Sequence, residues 1–202
     1  MPLFRRRADD HGGRWVVFGL GNPGERYART RHNLGVAVIE NLLDRTGASF
    51  KRHKSGCLIA EGTLAGERVV LARSTGYMNE SGRPLRQLLQ WYKIGPDKLV
   101  VVHDEIDIPF DEVRVKFQGG TAGHNGLKSV GSHLGTKEFL RVRVGVSRPG
   151  GQKEAADHVL SEFSSSERKE LPQIIERAAD AVEVIVGEGA ERAMNQFNTR
   201  RE

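Results

Sequence analysis

The stretch Phe18-Gly19-Leu20-Gly21-Asn22-Pro23-Gly24, continuing through Tyr27 to Arg31-His32-Asn33, decides how this chain folds. Upstream of it, Trp15-Val16-Val17-Phe18 is a β-branched and aromatic run with the character of a buried strand. Downstream, Leu34, Ala37, Val38, Asn41 and Leu42 recur at helical spacing, and Gly47 stands where that helix ends. A strand gives way to a glycine-rich turn that presents polar side chains just before a helix. In an open α/β sheet that edge is where ligands bind.

The spacing Gly19-x-Gly21-x-x-Gly24 matches a dinucleotide fingerprint and defines one alternative, a dinucleotide-binding enzyme. Pro23-Gly24 speaks against it by favouring a turn where the fingerprint needs a helix to begin. Helical periodicity starts only about ten residues later, and the acid expected at the end of a second strand is Asp44, inside the helix. What the stretch offers instead is Asn22, Tyr27 and His32: an amide, a phenol and an imidazole near one strand end.

The 202 residues suffice for one domain with a substantial core, expected over 14–202. Residues 1–13, with Arg5-Arg6-Arg7 followed by Ala-Asp-Asp-His-Gly-Gly, read as a flexible polar leader and not as a signal peptide. With no long apolar run and a single cysteine, Cys57, beside Leu58 and Ile59, the expectation is a soluble, cytoplasmic protein without an intrachain disulfide. Lys+Arg 31 against Asp+Glu 26 leaves a formal charge of +5, which suits a polyanionic partner.

Further along, Leu58-Ile59 and Arg68–Ala72 read as strands joined by a turn at Ala65-Gly66, and a polar loop runs from Ser74 to Asn79. A helix is predicted from about Gly82 to Lys93. Leu99-Val100-Val101-Val102 is a strand covered on both faces, ending in His103-Asp104-Glu105-Ile106-Asp107. Strands at Val113–Phe117 and Val142–Val146 flank a second glycine-rich turn, Gly119–Gly126, from which a helix runs over about Leu127–Leu134. Ser166 with Lys169 and Glu170 is expected to open the last long helix and Gly187 to close it, before a short amphipathic tail with Ala193, Met194 and Phe197. Strands alternating with helices predict a single α/β domain of three layers around a mixed, mostly parallel sheet.

Such a sheet brings Asn22, His32, Asn79, Asp104 and Asn125 to one edge. His32 can accept a proton at neutral pH, and Asp104 is the best-placed acid to orient it. No serine or cysteine stands in a nucleophile setting, so the pair would activate water, with the asparagines positioning it or donating to an oxyanion. A base contributes about 10²–10⁴-fold and one oxyanion donor about 10²–10³-fold, enough for an ester and thin for an amide. Asp104, Glu105 and Asp107 could face a hard cation, but no further carboxylates complete its shell, so neither metal nor cofactor is expected. His124 reads as the residue that opens the next helix in preference to a second base.

These motifs, together with Tyr77-Met78-Asn79-Glu80-Ser81-Gly82 and Gly123-His124-Asn125-Gly126-Leu127-Lys128, closely resemble bacterial peptidyl-tRNA hydrolase from about Arg14 to Asn198. Thr121-Ala122 departs from the more uniform glycine run of that family. The resemblance implies a monomeric, metal-free enzyme that cleaves the ester between a peptide and the 3′ end of tRNA. On it, His32 is the base, Asp104 its partner, and Asn22 and Asn79 hold the peptide end. Asn125 positions water or substrate backbone, Tyr27 lines the site, and Tyr77, Met78 and His124 join the substrate-binding set. A basic clamp on tRNA phosphate would use Lys116 and either Arg141 or Arg143, which are expected not to face the same way, with Lys128 as a further contact. The segment Ser147–Phe163 resembles a mobile lid. The remaining alternative is a non-catalytic RNA-binding protein on the same fold.

Overall fold

The computed structural model describes residues 13–151 and 154–199, so the expected leader lies outside the described residues except for Gly13. β1 (Trp15–Gly19) is buried at every position, as its apolar run predicts. It lies at the centre of a sheet with β2 (Lys51–Arg52), β3 (Cys57–Leu64), β4 (Glu67–Ser74), β5 (Leu99–Glu105), β6 (Val113–Phe117) and β7 (Leu140–Gly145). The order is β2-β3-β4-β1-β5-β7-β6. β4, β1, β5 and β7 run parallel, while β3 and β6 join them antiparallel at the two sides. The β3–β4 hairpin turns at Ala65 and Gly66, both at positive φ, the backbone that a two-residue hairpin loop demands.

The helices are α1 (Glu25–Ala28), α2 (Leu34–Thr46), α3 (Gly82–Tyr92), α4 (Asn125–Leu134), α5 (Ala155–Val159), α6 (Ser165–Glu188) and α7 (Ala190–Phe197). Alternate strand residues feed two cores. Val17, Leu71, Val100 and Val102 pack under α2, α6 and α7 on one face. Val16, Phe18, Val70 and Val101 pack under α3 and α4 on the other. At the edge, Asn198 pairs both polar groups of its side chain with the backbone of Val115 in β6, which occupies part of an otherwise open strand edge.

Three boundaries differ from the sequence reading. The last long helix is capped by Ser164, not Ser166, through a capping box with Glu167, and it runs through Gly187 to end at Gly189. Gly187 is instead a packing position: a Cβ there would stand 2.7 Å from that of Ala65. β5 extends to Glu105, so Asp104 belongs to the strand. Short helices α1 and α5 were not anticipated, since neither is long enough to show a period.

Arg141 and Arg143 do share a face, against expectation. They are two residues apart, and their register partners across the β6–β7 ladder, Lys116 and Arg114, stand on that same face.

Candidate active site

In the opening stretch Gly24, at a φ of 93° with nothing near its Cβ position, supplies the turn, while Gly19 and Gly21 serve packing. A Cβ on Gly19 would lie 2.4 Å from the carbonyl oxygen of Gly35, and one on Gly35 would lie 2.3 Å from that of Val102. These close approaches seat the start of α2 between the ends of β1 and β5, where the sheet order branches. Val100, Val102 and Asp104 share the face of β5 that α2 covers, so Asp104 emerges beside His32, which lies in the 3₁₀ turn Arg31–Asn33 ahead of α2.

His32 Nδ1 stands 3.0 Å from each oxygen of Asp104. Both residues are buried. An ionised carboxylate only accepts, so Nδ1 carries the proton and Nε2 keeps its lone pair. Burial by itself would lower the His32 pKa, but the charge and hydrogen bond of Asp104 outweigh it and hold it above its ordinary value. Burial would raise Asp104, yet His124 and His32 together hold its carboxyl far below the usual range.

His124 opens the next helix, as expected, and both of its ring nitrogens are committed, which leaves no lone pair for a second base. Its Nδ1 accepts from the backbone N–H groups of Gly126 and Leu127 and so caps α4. That leaves Nε2–H to donate to Asp104 Oδ1 at 2.9 Å. Asp104 is thus held by two imidazoles, one of which is locked by the helix it opens. His32, Asp104 and His124 bring possible ligand atoms within 4.8 Å of one another. Metal ligation through His124 Nε2 would require the proton to move to Nδ1, against the two N–H groups that point at it; the arrangement suits a hydrogen-bonded triad better than a metal centre.

Asn22 is held by its own backbone. Its N–H donates to Asn33 Oδ1 at 2.8 Å, and its carbonyl accepts from Asn33 Nδ2 at 2.9 Å. Its side-chain Oδ1 accepts from the Met78 N–H at 2.8 Å, so the donor end of the amide, Nδ2, is not used in that bond. Asn79 and Asn125 are exposed at the starts of their helical turns. A cavity of about 530 Å³ is lined by Asn22, Tyr27, His32, Tyr77, Met78, Asn79, Asp104, His124 and Asn125, so all nine residues expected in catalysis or substrate binding meet in one place. Tyr27 and Tyr77 stand edge to face at its border, their ring centroids 6.5 Å apart.

Sequence reasoning missed several participants. Asn33 was in plain view beside His32, but only the fold shows it gripping Asn22. Ala155, Ala156 and Val159 of α5 and Leu160, which caps it, line the cavity, within the segment expected to form a lid. Arg31 ties that segment down. Its guanidinium donates to the carbonyl of Glu162 at 2.6 Å and to both carboxylate oxygens of Glu167. In the glycine-rich turn, Ala122 takes a left-handed φ of 46°, so the departure from glycine leaves the turn in place at some backbone strain.

The four basic residues expected on phosphate lie outside the cavity lining. Lys116 and Lys128 are exposed. Arg143 pairs with Glu105 Oε2. Arg141 is turned inward: it is 2 % exposed, and it donates to the carbonyls of Gly119 and Gly120 at 2.8 and 2.7 Å.

None of the residues lining the cavity is a serine or cysteine. A buried histidine–carboxylate pair gathered with three asparagines at the edge of this mixed α/β sheet points to the class of the protein, a hydrolase. The peptidyl-tRNA hydrolase family model matches residues 16–202, and the chain belongs to that family. It is 56 % identical over 181 residues to peptidyl-tRNA hydrolase of Mycobacterium sp. (strain KMS), covering 89 % of this chain and 94 % of that protein. With the enzyme of Frankia casuarinae it shares 51 % over 186 residues, 92 % and 94 % of the two chains. The crystal structure of peptidyl-tRNA hydrolase from Acinetobacter baumannii matches it with a TM-score of 0.86 at 34 % identity, over 93 % of this chain and 95 % of that one. Among the described residues no helix is long and apolar enough to cross a membrane.

Proposed function

We propose that this chain hydrolyses the ester joining a peptide to the 3′ end of tRNA, with His32 as general base and Asp104 orienting it. The observation that carries this reading is the His32–Asp104 contact inside a cavity that also gathers Asn22, Asn79 and Asn125.

Water attacks the ester carbonyl carbon as one of its protons passes to His32 Nε2. The imidazolium that forms is stabilised by Asp104, whose own position is kept by His124. Charge that develops on the carbonyl oxygen is met by Asn22 Nδ2, fixed because Oδ1 is committed to Met78. Collapse breaks the carbon–oxygen bond, and His32 returns the proton to the departing ribose oxygen. Asn79 holds the peptide end and Asn125 the water or substrate backbone, while Tyr27, Tyr77 and Met78 form the walls.

On the RNA side, Lys116, Lys128 and Arg143 contact acceptor-stem phosphates, reading shape and not sequence. Arg141 acts from beneath, by holding the loop that leads to His124. The enzyme works as a monomer in the cytoplasm, and the segment carrying α5 closes over the bound ester.

The test is hydrolysis of an N-acetylated aminoacyl-tRNA, with the unblocked aminoacyl-tRNA and an EDTA-treated sample in parallel. Rapid, EDTA-resistant cleavage of the blocked ester alone is expected. Salt-sensitive tRNA binding without cleavage would overturn the catalytic assignment.

A further inference from the structure

A second hollow, of about 440 Å³, lies between the β2–β3 loop and the outer face of α3. It is lined by His53, Lys54, Ser55, Gln87, Gln90 and Trp91, none of which borders the catalytic cavity. Among the described residues the exposed large hydrophobics are Tyr77, Trp91 and Leu160. Tyr77 and Leu160 are accounted for by the catalytic cavity, and Trp91 is not. It remains 54 % exposed even with Lys54 Nζ standing 3.5 Å from its ring centroid.

The two segments that form the hollow are basic, and Glu61 is the acid that reaches His53 and Lys51. Residues 51–54 and 82–93 hold Lys51, Arg52, Lys54, Arg83, Arg86 and Lys93 and no acidic residue. Lys51 is paired with Glu61, and all six are exposed. His53 Nδ1 accepts from the Ser55 N–H at 3.2 Å, which makes Nε2 a donor. Burial and the charges of Lys54 and Lys51 hold its pKa below the ordinary value, so it donates without ionising.

This hollow shares a side of the molecule with the basic residues already described. α3 and α4 are in close contact: a Cβ on Gly82 would lie 2.1 Å from the Ser129 carbonyl oxygen. Together they cover the sheet face to which Lys116 and Arg143 also belong, and Lys128 lies exposed on α4.

We propose that the hollow beside Trp91 is a second RNA-binding site, in which the indole stacks on an unstacked base while Lys54 and Arg86 meet phosphates. Gln87 and Gln90 supply amides for base edges. Stacking accepts any base, and cations accept any backbone, so the site recognises RNA without reading its sequence. With Lys51 held by Glu61, five exposed cations remain around one exposed indole, a pairing that suits a chain carrying both phosphates and flat bases. The site rests on the reading of this chain as a tRNA-ester hydrolase and extends its RNA contacts beyond the 3′ end.

The test uses the full chain. Trp15 is buried and Trp91 exposed, so a tryptophan signal quenched by added RNA reports on Trp91. Titration with deacylated tRNA is expected to quench it. In a direct binding assay Trp91→Ala is expected to weaken tRNA binding about five- to hundredfold, the worth of one base stack, and Lys54→Glu, a surface change that keeps the indole, to weaken both the binding and the quenching. With N-acetylaminoacyl-tRNA both variants should raise KM and spare kcat. With the same amino acid esterified to a short 3′-terminal oligonucleotide, KM should not move. A KM change that appears equally on both substrates and grows with peptide length would mark a peptide subsite and overturn the proposal; so would unchanged fluorescence. If the unmodified enzyme cleaves neither ester, the hydrolase reading fails, while the titration still decides whether RNA binds at Trp91.

Discussion

Asn33 grips Asn22 through the backbone, accepting from its N–H at 2.8 Å and donating to its carbonyl at 2.9 Å. Neither bond touches the cavity, yet both decide where the Asn22 amide points. Asn33→Asp keeps the acceptor and loses the donor, leaving the buried Asn22 carbonyl unpaired at about 1–3 kcal/mol. The expected outcome is a roughly ten- to hundredfold loss in kcat, with tRNA affinity unchanged in a direct binding assay. A loss confined to affinity would show that Asn22 does not meet the reacting carbonyl.

His32→Ala removes the group to which the base role is assigned and should cost about 10²–10⁴-fold in kcat. Direct tRNA binding should stay nearly intact, because no phosphate contact passes through the imidazole. Equal loss of both would make His32 a structural residue.

The pH profile has a fixed sign. His32 acts unprotonated, and its pKa is raised in the folded enzyme, so kcat/KM should climb with a midpoint above 6.5 and then level off. Asp104→Asn removes the charge that raises it and leaves the burial that lowers it. The midpoint should then move below that of a free imidazole, with a rate loss of up to about 10⁴-fold from the misplaced proton. The same shift has a stability counterpart: the contribution of protonated His32 is complete below the unfolded-state pKa and fades as pH rises through the folded one. Asp104, depressed, works the other way, and its contribution is lost as pH falls below the ordinary carboxylate range. An acid limb that stays in place in Asp104→Asn would separate the pair.

Arg31→Ala should destabilise the protein by about 3 kcal/mol, read by denaturant midpoint at constant m-value. The guanidinium is buried, whereas Glu167 is only partly so and can regain water, which keeps the cost at the low end for a broken buried pair. Arg31→Lys should recover little, since one ammonium cannot serve the carboxylate and the Glu162 carbonyl together. Full stability in Arg31→Ala would show that the α5 segment does not depend on this anchor.

The sheet, both long helices after it and the residues that meet in the cavity were legible because each has a local signature. Val16-Val17-Phe18 and Val100-Val101-Val102 announce covered strands, and polar residues at the ends of parallel strands must converge. What stayed hidden depends on contacts between distant segments. Nothing local distinguishes Asn33 as a clamp from Asn33 as a helix start, and His124 as cap and Asp104 partner at once needs two elements in place. α5 is too short to show a period. Arg141 and Arg143 share a face because they stand two residues apart on one strand, a fact the spacing alone carries and one that overrides the expectation that they diverge. Which of them turns inward was not available, because it depends on where the Gly119–Gly120 backbone lies.

That last point separates two arginines by experiment. Arg143 keeps part of its guanidinium exposed while it holds the buried Glu105, so it can meet phosphate without leaving that partner, and Lys116 is exposed. Each should contribute up to about 0.9 to the slope of log affinity against log salt, so Lys116→Ala and Arg143→Ala should each flatten it by roughly that amount. Arg141 donates to two loop carbonyls from a buried position; Arg141→Ala should leave the slope alone and lower kcat by loosening the turn that ends in His124 and Asn125. Arg141→Lys should not rescue it, because a single ammonium cannot reach both carbonyls with the geometry of the planar fork. A flattened slope in Arg141→Ala would mean that the side chain leaves the loop to meet RNA, and the inward placement would then describe only the unbound enzyme.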